Sequence, residues 1–286
     1  MQDLIVEKLN SQFNDINTVF QQDRFEGHLK INNFSPIYFD NSAGGPIANG
    51  SCNWLQIKHR NGLIHEPATL AALLFIYKNY SNRIDVIFDV GALYGYFSLI
   101  SKSIFQTTTV FSFEVNPESY IALCKNINSN KHLGIPSSRC MNIGLSDQTN
   151  LQKAVEAKGF HLRENKISEN STKIDIFSLD DFCRISGFRP NLIKIDVEGY
   201  QAKIIPGSLS TLAQSKPIIL LEFDDPKTLA PFQITNQDIC KPLFELGYQC
   251  YWCQEQRTFK GRFEPLNYDQ FSQKHESNSL AIFLPI

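Results

Sequence analysis

The chain has 286 residues, 42% of them hydrophobic and 20% charged, with 27 Lys and Arg against 29 Asp and Glu. That length suits one large α/β domain with room for an N-terminal extension, and a near-zero charge with scattered basic residues argues against a broad nucleic-acid surface. No apolar stretch is long enough to span a membrane, and the start MQDLIVEKLNSQF lacks the basic head and apolar core of a secretory signal, so a cytoplasmic protein is expected.

Residues 1–20 carry Leu4, Ile5, Leu9, Phe13, Ile16 and Phe20 on one side of a helical pattern. Such a helix can dock on its own core or on a second subunit, which leaves a homo-oligomer open. Residues 21–63 have no clear period and read as loops and short strands, with a turn at 42–46. A helix is expected over 66–80, packing Leu70, Leu73, Leu74 and Tyr77.

Residues 86–90 read as a buried parallel strand. The strand ends in Asp89, followed by Gly91 and, four residues on, Gly95; a helix begins at Tyr96. Strand, glycine turn and helix start make a nucleotide-binding corner. A dinucleotide corner, G-x-G-x-x-G, needs a middle glycine to admit a pyrophosphate, and that position holds Leu93. The spacing D-x-G-x-x-x-G suits a ligand without a pyrophosphate, S-adenosylmethionine foremost, and disfavours a dinucleotide-dependent oxidoreductase.

The second strand, 109–113, delivers Glu114 at the distance one helix and one strand require, where a carboxylate accepts hydrogen bonds from ribose hydroxyls. Asn116, Pro117 and Glu118 then open a helix reaching Ser129. A third strand, 140–143, runs into the turn Gly144-Leu145-Ser146-Asp147. Ser146 or Asp147 there either bonds an adenine amino group or forms a local Asx or Ser turn. Residues 151–172 look polar and irregular with one short strand, and Leu179-Asp180-Asp181 opens a helix.

A fourth strand, 191–195, brings Asp196 and Glu198 to the carboxyl edge of the sheet; a fifth, 217–221, brings Glu222, Asp224 and Asp225 there. A cleft rimmed by carboxylates suits a cationic sulfonium and a hydroxyl that must lose a proton. Asp196 and Glu198 are the candidate bases, followed by Glu222 and His65, while Asp196 could instead hold the cofactor's amino group. Asp196, Glu198 and Glu222 could also chelate magnesium, but carboxylates at strand tips are common without a metal and no metal site is assigned. Residues 226–276 are rich in aromatics, which could line an acceptor pocket, although core packing accounts for most of them. Cys250 and Cys253 form one C-x-x-C with no second pair or histidines at zinc spacing, so all seven cysteines are read as reduced, mostly buried thiols.

These blocks together resemble the FkbM family of S-adenosylmethionine-dependent methyltransferases. The family shows a DVGANIGYFSL corner, an EPNP ribose turn, an N-[VI]-A-L-S-D turn, an S/T-LDDL lead-in, a KIDVEG block and a strand ending LLE. This chain has DVGALYGYFSL at 89–99, EVNP at 114–117, NIGLSD at 142–147, SLDDF at 178–182, KIDVEGY at 194–200 and LLEF at 220–223. It departs at Leu93 for Asn, Val115 for Pro, and Tyr200-Gln201 for Ala-Glu. The resemblance implies a class I methyltransferase fold: a Rossmann-like, doubly wound α/β sheet of seven strands with an antiparallel last strand, formed by residues 277–284. It divides the chain into an extension, 1–63, and a methyltransferase domain, 64–286. It implies cofactor contacts from Glu66 at the methionine end, from Asp89, Gly91, Ala92, Tyr94 and Gly95 in the corner, from Glu114, Val115 and Asn116, from Ser146 and Asp147, and from Asp196. It further implies catalysis by Asp196, Glu198 and Glu222 and methyl transfer to a sugar, glycan or natural-product hydroxyl. A protein that binds ligand on this scaffold without catalysis is the alternative.

Overall fold

The computed structural model describes residues 2–22, 28–40, 55, 57–59, 64–131, 138–158, 161–163, 172–223, 225–271, 274 and 277–286, leaving aside the side chains of 21–22, 154, 156–158 and 161–163. The turn expected at 42–46 and Asp224 lie outside these residues. In chain order the elements are α1 (Gln2–Val19), β1 (Phe20–Gln22), β2 (His28–Ile31), β3 (Ile37–Tyr38), α2 (Pro67–Tyr80), β4 (Val86–Val90), α3 (Tyr96–Ile104), β5 (Thr109–Phe113), α4 (Pro117–Ser129), β6 (Arg139–Met141), β7 (Gly144–Ser146), β8 (Asn150–Lys158), β9 (His161–Arg163) and β10 (Thr172–Ser178). There follow α5 (Leu179–Ser186), β11 (Leu192–Ile195), α6 (Gln201–Ile204), α7 (Leu209–Ser215), β12 (Ile218–Phe223), α8 (Asn236–Glu245), β13 (Tyr248–Cys253), β14 (Phe263–Leu266) and β15 (Ser279–Pro285).

The main sheet has the order β14-β13-β15-β12-β11-β4-β5-β6. Strands β6, β5, β4, β11 and β12 are mutually parallel, and β15 is antiparallel to both β12 and β13. Because side chains alternate along a strand, each strand feeds two cores. Ile87, Val110, Leu192 and Ile218 pack with α2, α3 and α4 on one face, while Phe88, Phe111, Ile193 and Ile219 pack with α5, α7 and α8 on the other. These strands are apolar at consecutive positions because both faces are covered.

The chain leaves β4 toward β5 and β6, then returns to lay β11 and β12 on the opposite side of β4. The crevice where the order reverses lies at the carboxyl ends of β4 and β11, the usual place for a ligand in an open parallel sheet. Gly91 makes this close approach feasible. Its φ is +83°, and a Cβ there would stand 1.8 Å from the backbone oxygen of Asp196.

Several expectations are corrected. The main sheet has eight strands rather than seven, because β14 forms a hairpin partner for β13 at the edge. Helix α1 packs Leu9, Phe13 and Ile16 into the core shared with α2, and the Asn10 side chain both donates to the Phe263 carbonyl oxygen (2.9 Å) and accepts from the Phe263 N–H (2.7 Å), which occupies part of the new edge. Residues 144–146 are not a turn but a strand that pairs in parallel with β10, inside a second sheet of order β7-β10-β8-β9. The segment expected to be irregular therefore forms most of that sheet. Strand β12 runs through Phe223, so Glu222 lies within the strand opposite Leu280 rather than beyond its tip.

Candidate active site

A cavity of about 220 Å³ opens at the carboxyl ends of β4, β5 and β11. Gly91 and Leu93 form its floor; Glu114, Val115, Gly144 and Leu145 stand at one end; Glu66, Asp196 and Glu198 stand nearer the other, with His65, Lys58 and Arg257.

The glycine corner is held mostly by its own backbone. The Gly91 and Ala92 N–H groups both donate to the Phe113 carbonyl oxygen, at 3.0 and 2.9 Å, tying the corner to the end of β5. Leu93 takes the left-handed conformation, φ +49°, and its N–H donates to Glu114 Oε2 at 2.8 Å. The other Glu114 oxygen accepts from the Asn116 N–H at 2.8 Å. Each oxygen keeps a second lone pair, so a buried carboxylate aligned by two backbone donors faces the cavity. Burial raises its carboxyl to about 7 despite those two bonds.

Asp89 does not line the cavity. It is 2% exposed, accepts the Ser98 hydroxyl proton at 2.5 Å and fastens β4 to α3. Ala92 and Tyr94 are buried in the adjoining core, and the Tyr94 carbonyl oxygen accepts from Asn126. Gly95 is the N-cap of α3, and a Cβ on it would meet Leu123 at 2.7 Å. Asn116 caps α4 by accepting from the N–H groups of Glu118 and Ser119. Ser146 donates to Asp147, which also takes the Lys203 ammonium at 3.1 Å, and neither is among the residues lining the cavity.

Three carboxylates converge at the opposite side: oxygens of Glu66, Asp196 and Glu222 lie within 4.8 Å of one another. Glu66 precedes α2 at φ +48°, with Oε1 3.1 Å from His65 Nε2 and Oε2 buried without a hydrogen-bond partner among the described residues. Asp196 Oδ2 accepts from the Lys194 ammonium at 2.8 Å. Glu222, 3% exposed, accepts from the Gln256 amide and from Arg257 at 3.1 Å. Glu198, at φ +51°, faces the cavity but is not part of this trio.

The electrostatics sort these groups. Burial alone would raise Asp196, but Lys194 and a hydrogen bond from Glu222 hold it below its ordinary value. Burial and the neighbouring Asp196 and Glu66 push Glu222 well up from its ordinary value. Burial, reinforced by Asp196, raises Glu66 to about 7. His65 is held well below its ordinary value by burial and by Lys58, His59, Arg257 and Lys194, and is neutral at pH 7. The trio could ligate a cation, but Lys194 and Arg257 already bring two positive charges to it, and an incoming ion would compete with them.

Sequence reasoning missed Lys194, Lys58 and Arg257. Lys194 carried a signal, since it is the one charged residue in the buried strand LIKI, and charged residues are rarely buried unpaired. Its ammonium also lies 4.6 Å from the centre of the Phe97 ring. Lys58 and Arg257 stand in segments without periodicity.

The family model described as "Methyltransferase FkbM domain" matches residues 89–250. Hexuronic acid methyltransferase AglP of Haloferax volcanii is 29% identical over 148 residues, covering 50% of this chain and 59% of that protein. The chain thus spans less than two thirds of the length of that relative. Among solved structures, Methyltransferase FkbM from Methylobacillus flagellatus KT is 15% identical, with a TM-score of 0.43 over 76% of this chain and 54% of that one. Magnesium protoporphyrin IX methyltransferase from Synechocystis PCC 6803, solved with SAM bound, is 12% identical, with a TM-score of 0.45 over 82% of this chain and 86% of that one.

Proposed function

The chain belongs to the methyltransferase FkbM domain family, and on that premise we propose that it transfers a methyl group from S-adenosylmethionine to a hydroxyl of a sugar or glycan. The observation that carries this reading is the pairing of Glu114, aligned by two backbone N–H groups, with the unpartnered Glu66 Oε2 in one cavity across the glycine corner. That donor set fits the cofactor: a carboxylate for a ribose diol, an apolar wall for a flat base, and further carboxylates for cationic groups. AglP, by its name, acts on a hexuronic acid, which supports a sugar acceptor. Oxygen is preferred over nitrogen because Asp196-Val197-Glu198-Gly199 stands where many amide and nucleobase methyltransferases carry [D/N]-P-P-[Y/F/W].

When bound, the cofactor supplies a methyl group made electrophilic by its sulfonium. Glu114 would hold the ribose hydroxyls, and Val115 and Leu145 would pack on the base. Glu66 takes the acceptor's hydroxyl proton at Oε2, while neutral His65 fixes its other oxygen. Asp196 and Glu198 frame the acceptor; Lys194 and the hydrogen bond from Glu222 keep Asp196 ionised and in place. Most of the rate comes from positioning the acceptor oxygen in line with the methyl group.

Calorimetric titration with S-adenosylhomocysteine tests the reading, with Glu114→Ala and NADH as controls. Micromolar binding that Glu114→Ala abolishes is the expected result. A folded protein that binds NADH but not S-adenosylhomocysteine overturns it. Binding without turnover on any glycan hydroxyl would instead mark a non-catalytic scaffold.

A further inference from the structure

The cavity changes electrostatic character along its length. Glu114 and the glycine corner stand at the ends of β4 and β5. Arg257 follows β13, which β15, β12 and β11 separate from β4 in the sheet. Arg257 and Lys58 both line the cavity, and both act on Glu66 and His65, so these positive charges gather around the proposed base.

The carboxylates near Arg257 engage only part of its guanidinium. It pairs with Glu222 at 3.1 Å through one nitrogen. Asp196 is matched by Lys194. Arg257 remains 45% exposed, and a guanidinium carries five N–H donors in a planar fork. The methionine part of the cofactor adds a carboxylate, an ammonium and a sulfonium, so it does not neutralise this end.

We infer that Arg257, with Lys58 lining the same cavity, forms an oxyanion subsite for the acceptor, and that the acceptor is an anionic sugar whose carboxylate or phosphate docks there while a hydroxyl reaches Glu66. The inference rests on the methyl-transfer reading for the identity of the acceptor, but not for the existence of the subsite. A planar fork favours bidentate pairing with such a group and would fix the orientation of the ring, and so the hydroxyl that is presented.

The test titrates methyl β-glucuronide, glucose 1-phosphate and methyl β-glucoside into the full chain, with and without saturating S-adenosylhomocysteine. At least one anionic sugar should bind about tenfold or more tighter than the neutral glucoside, the scale of a charge-assisted pair. The tighter of the two anions identifies carboxylate or phosphate as the docked group. Arg257→Gln should remove the preference while S-adenosylhomocysteine affinity stays within about twofold; Arg257→Lys should keep part of it, having charge without the fork. Lys58→Gln, which leaves the Glu222 contact untouched, should weaken the preference and guards against a folding defect in the Arg257 variants. Equal binding of all three sugars, no binding by any of them, or a preference that survives both Gln variants overturns the subsite. Loss of S-adenosylhomocysteine binding with the anion preference intact would keep the subsite and remove the methyl-transfer reading instead.

Discussion

Gly91 and Asp196 are packed backbone to backbone: a Cβ on Gly91 would stand 1.8 Å from the Asp196 carbonyl oxygen, and Gly91 has φ +83°. The contact locks the floor of the cavity to the end of β11, where Asp196 and Glu198 emerge. Gly91→Ala must therefore displace backbone as well as strain it. Gly187 is the matched control, since its φ is +76° but nothing lies within 4 Å of its Cβ position. Gly187→Ala should cost about 1–2 kcal/mol, the left-handed penalty alone. Gly91→Ala should cost well beyond that and lose S-adenosylhomocysteine affinity. Urea unfolding of the two variants with paired ligand titrations gives the comparison, and equal costs would show that the loop simply moves aside.

Lys194 is the cation on which the carboxylate cluster depends. It is 5% exposed, and although burial alone would lower its ammonium, Asp196, Asp89, Glu66 and Glu222 more than reverse that. Lys194→Met leaves Asp196, a quarter exposed, without its partner, and the loss is bounded by the about 3–5 kcal/mol of a fully buried pair. The double variant Lys194→Met/Asp196→Asn should recover part of the loss, because the uncompensated charge is gone. Denaturant midpoints of the wild type, both single variants and the double variant measure the coupling. A double variant no more stable than Lys194→Met would place the loss in packing rather than charge.

The glycine corner, the carboxylate after the second strand and the fourth-strand block were legible as parts of one cavity because each is a local pattern at a strand end, and helix and strand lengths fix the spacing between them. Glu114, Asp196 and Glu198 accordingly reach one cavity. Ser146 and Asp147 were harder, because their placement depends on residues 144–146 pairing with β10, some thirty positions away. Such pairing leaves little local trace. Cys250 and Cys253 show the opposite case. A C-x-x-C looks like a unit, yet within a strand its members point to opposite faces, and the two thiols sit in different cores. The cluster around Glu66 was legible only in part, because Lys58 and Arg257 are brought to it by segments from opposite ends of the chain.

Glu114 makes stability depend on pH in a defined window. Its carboxyl rises from an ordinary 4.5 to about 7 on folding, chiefly through burial. Between those values the folded chain binds the proton more tightly than the unfolded chain, so stability falls as pH rises from about 4.5 to 7 and levels above it. Glu66, also raised to about 7, acts in the same direction. The depressed carboxyls of Asp147 and Asp238 act below their ordinary 3.8 and do not overlap this window. His59 and His65, lowered by burial, act in the opposite direction up to their ordinary 6.5, so the wild-type slope sums both sets. In thermal unfolding of the ligand-free protein from pH 5 to 7, Glu114→Gln should shift the slope of stability against pH upward from the wild type by up to about 1.4 kcal/mol per pH step of one, the most that a single proton contributes. An unchanged slope would mean that Glu114 is ionised throughout the window.

Glu66 is the sharpest test of the catalytic assignment, because its two candidate roles predict opposite kinetics. As the base it needs an oxygen not already engaged and a carboxyl poised near neutrality, and it has both: Oε2 lacks a partner among the described residues and the group is raised to about 7. As a ligand for the methionine ammonium it would contribute to cofactor affinity instead. Glu66→Gln preserves the shape and the possibility of a hydrogen bond to His65 while removing the base. With an anionic sugar as acceptor, kcat should drop by about 10²–10⁴, the usual contribution of general-base catalysis, and the acid limb of the pH profile near 7 should disappear. S-adenosylhomocysteine affinity should stay within a few-fold of the wild type. A collapse of that affinity with kcat restored at saturating cofactor would move Glu66 to the cofactor and leave Asp196 or Glu198 as the base. Asp196→Asn then separates those two, since Asp196 is already matched by Lys194 and held below its ordinary range, which makes it the weaker proton acceptor.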